Sequence, residues 1–257
     1  MLPMINPLAV HIQAIKRRLL IIAATLLVFL MVAFTFSADM VAWLNRPFPN
    51  PLIFYGPTEA LFASIKVSFL AAVLASLPVV FYQLWKFVQP ALLPQEQRWG
   101  IPIIALAGVL FALGLLFCNF VILPLVIDFF VSFGMDRDIT PELSVGTYID
   151  FNVKFLLTFG CAFELPLILT ILARVGVLTA GQLAKYRKHA ILSALIISAV
   201  VTPDATLFTM MLMAVPLMVL YEIGILGARL FGRNHPTDMN LPLDPDLPMG
   251  TAGHRVR

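Results

Sequence analysis

The chain has 257 residues, of which 60% are hydrophobic and 12% charged, against about 45–50% apolar and about 25% charged in an average soluble domain. That composition excludes a soluble monomer. A helix needs about 20 apolar residues to cross a ~30 Å hydrocarbon core, so the length has room for roughly six crossings with short connections and none for a separate soluble domain. The net charge of +3 would suit nucleic acid in a soluble protein, but here its distribution along the chain matters more than its sum. Cys118 and Cys161 both sit inside apolar runs, with no CxxC or His/Cys cluster beside them. They read as small apolar fillers, and no metal site or disulfide is expected.

In chain order, the first apolar stretch covers residues 19–36 behind the basic run Lys16-Arg17-Arg18, a pattern like a signal-peptide n-region and h-region. A removable h-region runs only about 7–15 residues, so this longer stretch reads as a retained first span. Residues 39–59 hold Pro47, Pro49, Pro51 and Pro57, which cannot sit cheaply inside a helix, and they read as an external loop. The second span covers residues 66–85, with a kink expected at Pro78, and residues 86–100 form a polar connection with Pro90, Pro94, Glu96 and Arg98. The third span, 101–123, is expected to end near Pro124, with apolar character continuing to Phe133 and a second external loop reaching Tyr148. The fourth, 149–172, carries Lys154 near one end and Glu164 well inside. After the basic loop 174–189, residues 190–201 form a fifth span of only about 18 Å at ~1.5 Å per residue. The sixth, 208–226 with Pro216 inside, leads to a Pro-rich tail, 234–257, expected to be disordered.

Lys and Arg set the orientation. One side of the six spans collects Lys16, Arg17, Arg18, Lys86, Arg98, Arg174, Lys185, Arg187, Lys188, Arg229, Arg233, Arg255 and Arg257, and the other only Arg46, Lys66, Arg137 and Lys154. The positive-inside rule therefore puts both termini in the cytoplasm.

A few polar residues need a reason. Glu164, in Phe163-Glu164-Leu165-Pro166, costs at least about 2.5–3.5 kcal/mol at membrane depth and must be protonated, paired or facing a wet cavity. It is a functional candidate, or else a carboxyl bonded to a neighbouring helix or to the carbonyl freed by Pro166. Glu96 follows the apolar, Pro-stiffened run Phe87-Val88-Gln89-Pro90-Ala91-Leu92-Leu93-Pro94, which presents a carboxylate beside a hydrophobic ledge. A ligand combining a basic group with an apolar helix matches both parts. Glu59 reads as a cap or anchor at the start of span two, Asp204 likewise at the mouth of spans five and six, and Glu222 as a partner for a loop Lys or Arg. Lys154 is expected to snorkel outward. No phosphate loop, zinc pair, nucleophile elbow or dinucleotide fingerprint occurs, so no enzyme and no cofactor are expected.

Taken together, His11 before Lys16-Arg17-Arg18-Leu19, Pro57-Thr58-Glu59-Ala60-Leu61-Phe62, the run from Pro78 to Leu92 with Glu96 and Arg98, Asn119 to Pro124, Phe163-Glu164-Leu165-Pro166, Thr202-Pro203 and Tyr221-Glu222-Ile223-Gly224 resemble the TatC family, the multi-span core of the twin-arginine protein translocase. The resemblance covers residues 7–233. It implies an all-α membrane protein of six transmembrane helices in a glove-like arrangement, one domain over 1–233 with the last two spans short, lodged in the bacterial inner membrane. It also implies a receptor for signal peptides with paired arginines, working with single-span TatA- and TatB-type subunits and further copies of itself to export folded proteins on the proton-motive force. Matched position by position, Glu96 contacts signal arginines, Phe87 and the adjoining loop shape the site, Arg98 orders the carboxylate, and Glu164 faces partner subunits.

The chain departs from its family at one place. TatC members usually carry a second glutamate in the first cytoplasmic segment where Ala14 stands here, leaving Gln13 as a neutral acceptor. Losing a charged acceptor weakens arginine recognition by about 1.5–3 kcal/mol if the bond is normally made. A different class of reading remains on the residues alone: a small-solute or proton-coupled transporter or channel using Glu164.

Overall fold

The computed structural model describes residues 7–44, 53, 55–91, 97–135, 144–202 and 206–232. Glu96, Asp204 and the expected tail 234–257 lie outside the described residues. Among the described residues the regular elements are helices: α1 (Pro7–Thr35), α2 (Ser37–Leu44), α3 (Pro57–Val88), α4 (Gly100–Phe117), a π-helical turn (Cys118–Ile122), α5 (Leu123–Met135), α6 (Val145–Phe163), α7 (Leu165–Val175), α8 (Ala180–Lys185), α9 (Arg187–Val201) and α10 (Leu207–Phe231). Short 3₁₀ turns, Gln89–Ala91 and Gln97–Trp99, flank the loop between α3 and α4.

Among the described residues, five stretches are long and apolar enough to cross a membrane: Ile15–Thr35, Pro57–Val88, Gln97–Ser132, Val145–Val175 and Leu207–Phe231. They bury little of themselves in the protein, only 6% in the first and 39% in the fourth, so most of their apolar surface is left for lipid and partners. The expected fifth span corresponds to α9, whose 15 residues make about 22 Å at ~1.5 Å per residue, short of a normal core. The expected shortness of the sixth span is corrected: α10 has 25 residues, because the helix continues past Leu226 through Gly227–Phe231 instead of stopping at the charged end.

Two further boundaries differ from the sequence reading. Residues 39–44, the first part of the expected external loop, belong to α2, since the prolines that forbid a helix begin only at Pro47. The third span does not end at Pro124. Pro124 has no N–H to close a regular turn, and the chain widens into the π turn just before it, with the Leu123 N–H donating to the Cys118 carbonyl. The helix absorbs the proline and runs on.

The helices pack in pairs, α1 along α3, α4 along α6, and both α7 and α9 along α10. Glycines set the closest approaches. A Cβ at Gly114 of α4 would lie 2.6 Å from the Phe159 carbonyl oxygen of α6, and one at Gly224 of α10 would lie 2.6 Å from Leu169 Cδ1 of α7. The main core joins α3, the π turn, α5, α6 and α10 around Ile122, Val126, Ile149, Phe155, Phe159 and Met213, all essentially sealed.

At the start of α3 and α6 the polar groups are tied together. Glu59 accepts hydrogen bonds from the Gly146 N–H at 2.9 Å, from the Tyr55 N–H at 2.8 Å and from the Ser144 hydroxyl. Ser144 is itself the N-cap of α6, accepting from the Thr147 N–H, and the Val145 N–H donates to the Ile53 carbonyl at 2.9 Å. Glu59 is thus the anchor expected of it, and it clamps two helix ends. One to two turns further in, Asp150 of α6 meets Lys66 of α3 at 2.8 Å and Lys154 at 3.0 Å. Lys154 therefore pairs with its i−4 carboxylate rather than simply snorkelling.

Candidate functional site

The last turn of α3 and the 3₁₀ turns beyond it carry most of the residues selected from sequence. Pro78 lies inside α3 without ending it, so the helix carries Tyr82, Lys86 and Phe87 out to its end. Trp85 is buried against Gly100 at the start of α4, which fixes the two helices across the intervening loop. The mouth of that loop is closed by Gln89 and Gln97: the Gln89 Nε2 donates to Gln97 Oε1, and the Gln97 Nε2 donates to the Gln89 carbonyl, both at 3.4 Å. Glu96 sits one residue inside this closure in sequence, outside the described residues.

Phe87 is 55% exposed, a large apolar ring left open at a helix end. Among the described residues the cation over its face is Arg18 of α1, with the guanidinium carbon 5.9 Å from the ring centroid. The same guanidinium donates from Nη1 to the Gln83 carbonyl at 3.5 Å. The adjacent Lys86 lies 4.6 Å from the ring centroid of Tyr82, one turn earlier on α3. This end of α3 therefore offers aromatic faces to cations, a geometry worth about 0.5–1 kcal/mol per contact when exposed. Arg98 and Gln13 are both exposed. Ala14 falls one helical turn before Arg18 on α1, so the position that could supply an i,i+4 carboxylate holds a methyl group.

Glu164 occupies a different kind of place. Pro166, at the second position of α7, breaks the helix between α6 and α7, and Glu164 sits in the break. Its N–H reaches back to the Cys161 carbonyl at 3.2 Å, and its carbonyl accepts from Ile168 at 2.9 Å. The side chain is only 7% exposed, and Oε1 has no hydrogen-bond partner among the described residues. The bond to a neighbouring helix or to the carbonyl freed by Pro166 is not made by this oxygen. An unsatisfied carboxyl oxygen at that depth costs energy that a ligand, a partner, a proton or a cavity water recovers.

Toward the ends of α8 to α10 the expected partner for Glu222 is Arg187, in a two-point contact with Nε to Oε1 at 2.7 Å and Nη2 to Oε2 at 2.8 Å. The neighbouring Tyr221 hydroxyl donates to the Leu183 carbonyl at 2.8 Å. Together they hold α8 and α9 against α10. Near the opposite end, α2, α3, α4, the π turn and α6 line an open pocket of about 700 Å³ with mostly apolar walls, Asp39 and Asn119 its polar members. Sequence reasoning missed this pocket and the Arg18–Phe87 contact, since each depends on which helices become neighbours. The Asp150–Lys154 spacing was a signal open to it.

The fold and these sites define a multi-span α-helical membrane protein with conspicuous polar groups at helix ends and at the break between α6 and α7. A family profile described as Sec-independent protein translocase protein (TatC) matches residues 10–216. The TatC of Aquifex aeolicus is 40% identical over 233 residues, covering 88% of this chain and 96% of that one, and the TatC of Campylobacter jejuni is 37% identical over 234 residues, covering 87% and 94%. A crystal structure of the twin-arginine translocase receptor TatC superimposes with a TM-score of 0.79 at 39% identity, over 87% of this chain and all of that one. The chain belongs to the TatC family of protein translocase subunits.

Proposed function

We propose that this chain is the receptor subunit of a twin-arginine translocase and binds paired-arginine signal peptides at the end of α3, with Glu96 as the charged acceptor, Phe87 as an aromatic shelf, Arg98 ordering the carboxylate and Gln13 adding a neutral acceptor. The observation that carries this reading is that the shelf already receives a guanidinium, that of Arg18, 5.9 Å above Phe87. A planar guanidinium can both stack on such a ring and bond a carboxylate through two parallel N–H groups, whereas an ammonium does the second only as a point charge. The Lys/Arg asymmetry along the chain puts this end, and both termini, on the cytoplasmic side of the inner membrane, where a newly made precursor arrives.

Glu164, buried and with an unsatisfied oxygen, is the contact for a polar group on a single-span TatA- or TatB-type partner, with which the chain and further copies of itself assemble for export driven by the proton-motive force. The test is charge reversal at the acceptor. Glu96→Lys abolishes crosslinking to a paired-arginine signal peptide while membrane insertion stays intact; crosslinking at the wild-type level would overturn the site. Glu164→Gln lowers co-purification of single-span partners and leaves peptide crosslinking unchanged.

A further inference from the structure

We propose that Arg18 is an internal stand-in for the signal arginine: it occupies the Phe87 shelf of the empty receptor, and ligand binding there is an exchange of one guanidinium for another. The proposal rests on the reading of Phe87 as part of the peptide site and adds what fills that site beforehand.

Three observations carry it. The first is local sequence. Arg17-Arg18-Leu19-Leu20 opens an apolar stretch reaching Phe36, so the chain carries its own copy of the ligand's pattern, paired arginines ahead of an apolar helix. The second is geometry, because the second arginine of that copy is the one placed over Phe87, with its Nη1 on the Gln83 carbonyl.

The third is how loosely it is held. The hydrogen bond is long, at 3.5 Å, and the ring beneath is more than half exposed. The position one turn earlier on α1 is Ala14, so α1 supplies no i−4 carboxylate to retain Arg18. Of the cations on the facing turn of α3, Lys86 is engaged on Tyr82. A contact this weak fills the shelf without locking it.

Exchange also sharpens selectivity. An incoming side chain must better what Arg18 already makes with the ring and the carbonyl, which a guanidinium with a further acceptor at Glu96 does. A strongly hydrated ammonium gains less from stacking and does not displace it as readily.

The experiment uses the full-length chain in detergent and a synthetic paired-arginine peptide with an apolar segment. Arg18→Gln clears the shelf and tightens peptide binding by roughly two- to fivefold, the equivalent of one exposed cation–π contact. In a Phe87→Leu background the same substitution has no effect. Weaker or unchanged binding in Arg18→Gln, or a gain that persists undiminished without Phe87, overturns the exchange.

A fluorine label reads the shelf directly. With 4-fluorophenylalanine at position 87, saturating peptide leaves the wild-type resonance nearly in place, because one guanidinium replaces another. In Arg18→Gln the free resonance is displaced, and peptide returns it toward the wild-type position. A free resonance insensitive to Arg18→Gln contradicts the proposal. If neither the wild type nor Arg18→Gln binds the peptide, the receptor reading itself falls and takes the exchange with it; a peptide that binds equally to both sinks the exchange alone.

Discussion

At the start of α3 Glu59 is held by donors from Tyr55, Ser144 and Gly146, and a turn or two on Asp150 is shared by two lysines. At the far end of the same helix, Phe87 lies open and a guanidinium touches it through a 5.9 Å contact and one long hydrogen bond. The first end has its polar groups saturated, and the second leaves them loosely held. A saturated end makes a frame: its bonds are already made and a ligand has little to add. A loosely held end is where an incoming group can improve on what is there. Glu164 belongs with the second, since its buried Oε1 has no partner among the described residues although it lies mid-span.

Substitutions at the two ends should separate stability from recognition. The largest effect is expected at the frame. Glu59→Ala removes an acceptor serving three donors, at about 2–4 kcal/mol once partial exposure is allowed for, and lowers the thermal unfolding temperature in micelles while peptide affinity in the folded fraction stays constant. Loss of affinity without loss of stability would erase the contrast. Next comes Ala14→Glu, which restores a charged acceptor on α1 and draws Arg18 toward its own helix. It should tighten peptide binding by about tenfold, equivalent to ~1.4 kcal/mol, as read by titration with the paired-arginine peptide. No change would mean that a carboxylate in the first segment is not missed here. The smallest effect belongs to Lys66→Met: Asp150 keeps Lys154 at 3.0 Å, and half-exposed ion pairs contribute about 0–1 kcal/mol. A larger destabilisation would mark the Lys66–Asp150 pair as part of the frame's main support.

The sequence-level reading succeeded where one chain segment contains the whole cause. Apolar run length gave six spans, of which five recur among the described residues as stretches long and apolar enough to cross, and the brevity of residues 190–201 reappears as the 15-residue α9. Glu59 and Glu222 were read as an anchor and an ion-pair partner from their position at helix ends, and both make such contacts. It failed where the outcome depends on accommodation or on neighbours. Pro124 looked like a stop, but a widened turn lets the helix pass it. Residues 39–44 looked like loop because the prolines following them dominated the segment. The Arg18–Phe87 contact spans 69 positions of chain and exists only because α1 lies along α3, a pairing that no local pattern specifies. Glu164 was legible as costly, but its burial in a helix break, rather than on a regular helix face, required Pro166 to be placed in three dimensions.

The most direct measurement compares capture at the two ends in one protein. A photoreactive benzoylphenylalanine is placed in turn at position 87, at the end of α3, and at position 43, on α2 near the saturated end, and each full-length receptor is irradiated in membranes with a paired-arginine signal peptide. The account predicts strong capture from position 87, loss of that capture with Glu96→Lys or with a peptide whose arginines are replaced by lysines, and background labelling from position 43. Capture from position 87 that ignores both the carboxylate and the arginines would contradict it.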